Sequence, residues 1–195
     1  MKTRNIVIIA ILALIVILGG CTYNSYNGLV RNDQNVQNAW SNVETNYQRR
    51  TDLYNSVIKV VQGSANFEKS TLTDVIAARS KATSISVNIN DPATLKAYEQ
   101  AQSQFQGSFS KLMAVAEAYP NLKTTQAFQD FQVQIEGTEN RINIARQDFN
   151  NTVNSYNLSV RTFPGNIFAG MFGFKTRDYF QAKAGTDSPP DINFK

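Results

Sequence analysis

The sequence predicts an all-α protein: an antiparallel up-down four-helix bundle with long first and last helices, an N-terminal membrane-anchoring segment and an irregular aromatic C-terminal tail. Three observations carry this. Four segments repeat apolar residues at alternating steps of three and four, the spacing of one helix face, and none alternates as a half-buried strand does. The breaks between them are short, as antiparallel neighbours require. Ahead of them stands an apolar run, Ile6 to Leu18, that follows no amphipathic pattern.

That run follows Lys2 and Arg4 and closes in Leu18-Gly19-Gly20-Cys21. A basic start, an apolar stretch and small residues before a cysteine read as a secretory signal peptide with a lipobox, Cys21 becoming the lipidated mature N-terminus. Thirteen or so apolar residues rise roughly 20 Å as a helix, short of the ~30 Å hydrocarbon core. Residues 1–20 are therefore a signal peptide or, completed by tilt or bilayer thinning, an uncleaved membrane anchor. A lipoprotein carrying diacylglyceryl and palmitate-type chains would be held firmly by membrane lipid. Both readings place the rest on the outer side of a bacterial membrane, in the cell envelope. Cys21 is the single cysteine, so no intramolecular disulfide forms.

Residues 21–162 read as the bundle. The first seam is Val36, Trp40, Val43, Tyr47, Arg50, Tyr54, Val57 and Val61. The second, Leu72, Val75, Ile76, Arg79 and Ala82, begins near Glu68 and stops in Ser86-Val87-Asn88. Asp91-Pro92 opens the third, since Asp caps a helix and Pro suits its first turn. Its seam is Leu95, Tyr98, Gln102, Phe105, Phe109, Leu112, Ala116 and Tyr119, ended by Pro120. Thr124 or Thr125 caps the fourth, whose seam is Phe128, Phe131, Ile135, Thr138, Ile142, Ala145, Phe149, Val153, Tyr156 and Val160. These coiled-coil-like stripes are core packing. The first and last helices come to about 38 residues each and are expected to project beyond the inner two as a two-helix stalk.

Chain direction then puts residues 163–195 at the membrane end. Phe163, Phe168, Met171, Phe172, Phe174, Lys175, Arg177, Tyr179 and Phe180 interleave rings with cations. They form either a membrane-proximal flap that closes the open end of the bundle or a surface for lipid or a partner. Gly185 to Lys195, with Ser188-Pro189-Pro190, reads as a disordered end.

Composition excludes several chemistries. The chain has 195 residues, a net charge of +4 and no histidine. Without histidine there is no Ser-His-Asp triad, no Cys-His dyad and no His-containing zinc site. Glu136 and Glu139 lack the Glu-x-x-His motifs of a di-iron bundle. No metal or cofactor is expected, and the scattered positive charge argues against nucleic acid. The polar residues of interest are Arg50, Arg79, Glu136, Glu139 and Arg146. A buried guanidinium needs a carboxylate or carbonyl partner, which makes Glu139 and Glu136 the natural acceptors. Such a network either fixes helix register or lines a pocket for a small anion.

Ordered residue groups also resemble the LemA family. They are Tyr26-Asn27-Gly28-Leu29-Val30, Ala39-Trp40-Ser41, Gln48-Arg49-Arg50 with Asp52-Leu53, then Gly63, Glu68, Ala78-Arg79 and Tyr119-Pro120 with Leu122-Lys123. The likeness is densest in Glu139-Asn140-Arg141-Ile142, Ala145-Arg146, Phe149-Asn150 and Tyr156-Asn157, and ends with Phe163-Pro164, Gly173-Phe174 and Tyr179-Phe180. The resemblance implies a four-helix bundle held to the bacterial envelope by its N-terminus, and no established activity. Two departures stand out. Tyr54-Asn55-Ser56 replaces the family's Ile-Pro-Asn, which removes a kink-forming proline. Phe67 stands where the family has histidine. The resulting expectation is a non-enzymatic membrane-anchored protein that serves as an interaction or scaffold module for an envelope protein partner. The alternative is a small anionic ligand sensor built on the inner Arg-Glu cluster.

Overall fold

The computed structural model describes residues 2–63, 67–123 and 125–181. The disordered end expected from Gly185 lies outside the described residues. Within them the chain is all-helical: α1 (Lys2–Gln62), α2 (Lys69–Ser84), α3 (Pro92–Ala116), a one-turn α4 (Pro120–Lys123), α5 (Gln126–Arg161) and α6 (Gly165–Phe172). No strand occurs among the described residues.

α1 is one unbroken helix of 61 residues, about 92 Å at 1.5 Å per residue. The first helix, expected at about 38 residues, is longer because Gly19 and Gly20 are helical and join the apolar run to it. Two glycines cost helix propensity of only about 1 kcal/mol each, which a packed 40-residue continuation readily tolerates. The window near its N-terminus is apolar enough to cross a membrane and none of it is buried in the protein. Every expected seam residue of α1 from Val36 to Val61 is buried.

Capping follows the sequence. The Asp91 carboxylate accepts from the Ala93 amide at 3.0 Å, with Pro92 in the first turn of α3. Thr125 caps α5, its hydroxyl oxygen accepting from the Phe128 amide. α5 runs antiparallel along α1, since Trp40 packs on Phe149 while Arg50, farther along α1, meets Glu139. α3 runs parallel to α1: Trp40 and Tyr47 touch Tyr98, and Tyr54 touches Phe105 and Phe109. α2 packs chiefly on α3.

α2 is rotated from its expected phase. Thr71, Val75 and Ala82 are its buried residues, whereas Ile76 and Arg79 face solvent. The pattern 71-75-78-82 shares Val75 and Ala82 with the expected one, while Thr71 and Ala78 take the places of Ile76 and Arg79 and Leu72 is half-buried at its edge. Its members are small, so α2 lies close against α3, and small residues carry little periodic signal.

The long helices are not a bare stalk. Below Trp40 they are covered by α6, by the connector through Val87 and Ile89, and by an extended segment from Phe174 to Gln181. Gly173, at φ +77°, ends α6 in the left-handed conformation that glycine adopts without cost. There the chain turns back along α5. This corrects the membrane-side placement of Arg177, Tyr179 and Phe180. Phe180 is buried against Trp40 and Phe149, with ring centroids 5.9 and 5.4 Å away. Trp40 lies about 28 Å up the helix from Cys21.

Candidate functional site

Two hydrophobic clusters make the core. The lower one holds Leu29, Val36, Trp40, Tyr47, Tyr98, Ile142, Phe149 and Tyr156. The upper one holds Tyr54, Val57, Ala101, Phe105, Phe109, Leu112 and Phe128. Between them a polar layer crosses the molecule at one level. α1 contributes Arg50, between Tyr47 and Tyr54; α3 contributes Gln102, between Tyr98 and Phe105; α5 contributes Glu139.

Arg50 is only 2% exposed. Its Nη1 meets Glu139 Oε1 at 3.3 Å, and its Nη2 donates to both the carbonyl and side-chain oxygens of Gln102. The guanidinium also lies 4.7 Å from the Tyr47 ring centroid, where the ring face attracts a cation. Glu139 Oε1 accepts from the Tyr54 hydroxyl at 3.0 Å, and its Oε2 from Gln106 Nε2 at 3.1 Å. Gln102 Nε2 in turn donates to the Ala82 carbonyl of α2 at 3.4 Å, so all four long elements share the layer. Burial, reinforced by the Glu139 charge, pushes the Tyr54 hydroxyl well above its usual range. Tyr54 therefore remains a proton donor. Among these groups the Nε of Arg50 is buried without a hydrogen-bond partner.

The layer opens into a cleft of about 520 Å³ between α3 and α5. Arg50 and Glu139 form its inner end. Toward the lower end Arg146 lies 3.8 Å from Glu99 and donates to the Gln181 carbonyl at 2.9 Å, while the Gln181 amide donates to Glu99 at 3.1 Å. Burial raises the Glu99 pKa, an effect opposed by the Gln181 amide and by Arg146.

A second polar device holds the returning tail. Asn157 donates to the Arg177 carbonyl and accepts from the Arg177 amide, both at 2.8 Å. Asn150 does the same for Phe180, at 3.1 and 2.8 Å. Seven residues of helix rise about 10.5 Å, and three extended residues span about 10 Å. The two asparagines thus match the tail's repeat and stand in for a neighbouring strand. The Tyr156 hydroxyl donates to the Lys175 carbonyl at 2.8 Å. Arg177 is clamped to Asp33 of α1 at 2.6 Å, its guanidinium 5.1 Å from the Tyr156 ring centroid.

Of the expected polar network, Arg50 and Glu139 meet directly, and Arg146 lines the same cleft. Arg79 and Glu136 are solvent-exposed and do not join it. Glu136 lies two residues before Thr138 and six before Ile142, about 160° and 120° around α5 from them, on the solvent side. Gln102 sat in an otherwise apolar seam, which was the available signal for it. Asn150 and Asn157 gave a fainter one, two amides seven residues apart beside the α5 seam. Cys21 is exposed and unpaired.

The model of the LemA family matches residues 39–194. Magnetosome protein MamQ 2 of Paramagnetospirillum magneticum is 27% identical over 183 residues, covering 84% of this chain and 67% of that protein. Magnetosome protein MamQ of Magnetospirillum gryphiswaldense is 25% identical over the same length and coverage. Protein LemA of Metamycoplasma hominis is 29% identical over 156 residues, covering 80% of this chain and 68% of that protein.

Proposed function

The chain belongs to the LemA family, and on that footing we propose that it is a non-enzymatic, membrane-anchored protein of the bacterial cell envelope. Its helices α1, α2, α3 and α5 act as an up-down four-helix bundle that serves as an interaction or scaffold module for other envelope proteins. The observation that carries this is α1 itself, which joins a wholly exposed apolar window to the packed body in one helix. A body attached in this way holds its side faces at a set height above the bilayer. In the alternative form of this reading, residues 1–20 are removed as a signal peptide and a lipid on Cys21 replaces the apolar run as anchor.

The polar layer fits a structural part in this reading. Both oxygens of Glu139 already accept hydrogen bonds, from Arg50 and Tyr54 on one side and Gln106 on the other. A carboxylate so engaged is a poor general base, and the layer instead penalises any sliding of α1 against α3 and α5. The test is proximity labelling in cells of native origin, with a labelling enzyme fused to the chain. Specific neighbours above those of an unrelated lipidated helical bundle are expected. Identical neighbour sets would overturn the scaffold reading.

The cleft supports a second reading, in which the protein senses a small anionic ligand. Arg50 keeps one N–H unpaired, and Arg146 and Lys96 also line the cleft. A thermal shift with an anionic metabolite that disappears in Arg146→Ala would favour it. A flat response across the panel would remove it.

A further inference from the structure

We propose that α6 is a second membrane-contacting element, lying in the headgroup zone with the stripe Phe163, Ile167 and Met171 among the lipid chains. Ile167 and Met171 lie four apart on one face of α6, and Phe163 stands in the turn just ahead of the helix. All three point outward, where large apolar side chains are normally buried: Phe163 is 80% exposed, Ile167 54% and Met171 69%. The opposite face, through Ala169 and Phe168, is the one packed on the protein. α6 holds no charged residue at all, so nothing in its composition suits an aqueous surface.

Its position supplies the occupant. Phe172 packs edge-on against Tyr26 at 4.8 Å and borders a groove with Gly19, Thr22 and Tyr23. Gly19 directly follows the last residue of the apolar run. An α1 segment from Ile6 that covers a ~30 Å hydrocarbon core reaches about Tyr23 to Ser25, the level of this groove. Lipidation of Cys21 would put the bilayer surface at the same level. The exposed faces of α6 and of the apolar run are therefore continuous, and one bilayer covers both. Arg31, Arg161 and Lys175 are exposed around this end, while the nearby carboxylate of Asp33 is occupied by Arg177. Cations just above an apolar patch match the phosphates of an anionic leaflet.

This inference rests on the membrane-anchored reading, and one experiment separates the two. The full chain carrying Cys21→Ser is reconstituted into phosphatidylcholine–phosphatidylglycerol vesicles whose acyl tails are brominated. A fluorophore is attached to a cysteine introduced as Met171→Cys, Val16→Cys or Gln129→Cys, one at a time. The expected result is loss of emission to the brominated tails at positions 16 and 171 and none at 129. Quenching at 16 without quenching at 171 overturns the α6 proposal and leaves the anchor standing. Absence of quenching at 16 overturns both. A label at 171 shielded from brominated lipid and from aqueous iodide alike would show a protein covering the face, which also overturns the proposal.

Discussion

Glu139 is where the two hydrophobic clusters meet, and its removal is the sharpest single-residue test of the polar layer. Glu139→Ala leaves Arg50 buried with a lost counter-charge and leaves the Tyr54 hydroxyl without its acceptor. The expected loss is about 3–5 kcal/mol, near the lower end because Gln102 still holds the guanidinium. Denaturant unfolding measures it. Replacing both partners, Arg50→Met with Glu139→Leu, is expected to recover most of that stability, because an apolar pair avoids the desolvation that the ion pair must offset. Much of this was readable beforehand: an arginine at a seam position demands a partner, and Glu139 is the acceptor nearest the α5 seam. Tyr54 reads as a seam residue and as a departure from the family's isoleucine, with no polar role. Its hydroxyl bond to Glu139 depends on three helices meeting, which spacing along one helix does not encode.

At the scale of elements, the tail from Phe174 to Gln181 shows how an extended segment can be held by helix side chains alone. Its backbone is bonded by Asn150, Asn157 and the Tyr156 hydroxyl and, at Gln181, by Arg146 and Glu99, and Phe180 packs over the sole tryptophan. Each asparagine makes two hydrogen bonds to the tail backbone, so Asn150→Ala or Asn157→Ala strands a tail amide and carbonyl at a cost of about 1–3 kcal/mol. The double variant is expected to free the tail and hydrate Trp40, shifting its emission to the red and opening it to acrylamide. Unchanged emission would mean that the aromatic contacts of Phe180 suffice without the amides. This return path was not legible in the sequence. An extended strip bonded to side chains has no periodicity of its own, and asparagines on α5 look like any solvated face. The long seams, by contrast, were plain, because Val36 to Val61, Leu95 to Ala116 and Phe128 to Val160 bury large side chains at strict helical spacing. α2 is legible only in part for the opposite reason: Val75 and Ala82 are buried as expected, but the rest of its packing face is the small Thr71 and Ala78.

For the molecule as a whole, the account stands on α1 being one rigid member from the bilayer to the top of the upper cluster. In the sequence, two glycines and a cysteine stand between the apolar run and the first seam, and they read as a lipobox. The structure instead carries helical hydrogen bonding through them, and the early packing of Leu29 and Val36 onto α5 and the tail keeps the helix from bending away. Anchor, tail and polar layer thereby hold fixed heights relative to one another. A spin-label distance between Val16→Cys and Lys59→Cys, in a Cys21→Ser chain reconstituted in a bilayer, tests this most directly because it spans Gly19 and Gly20. Forty-three helical steps predict a single narrow distribution at about 64 Å. A broad distribution, or a main peak well short of that length, would reveal a hinge in α1 and contradict the account.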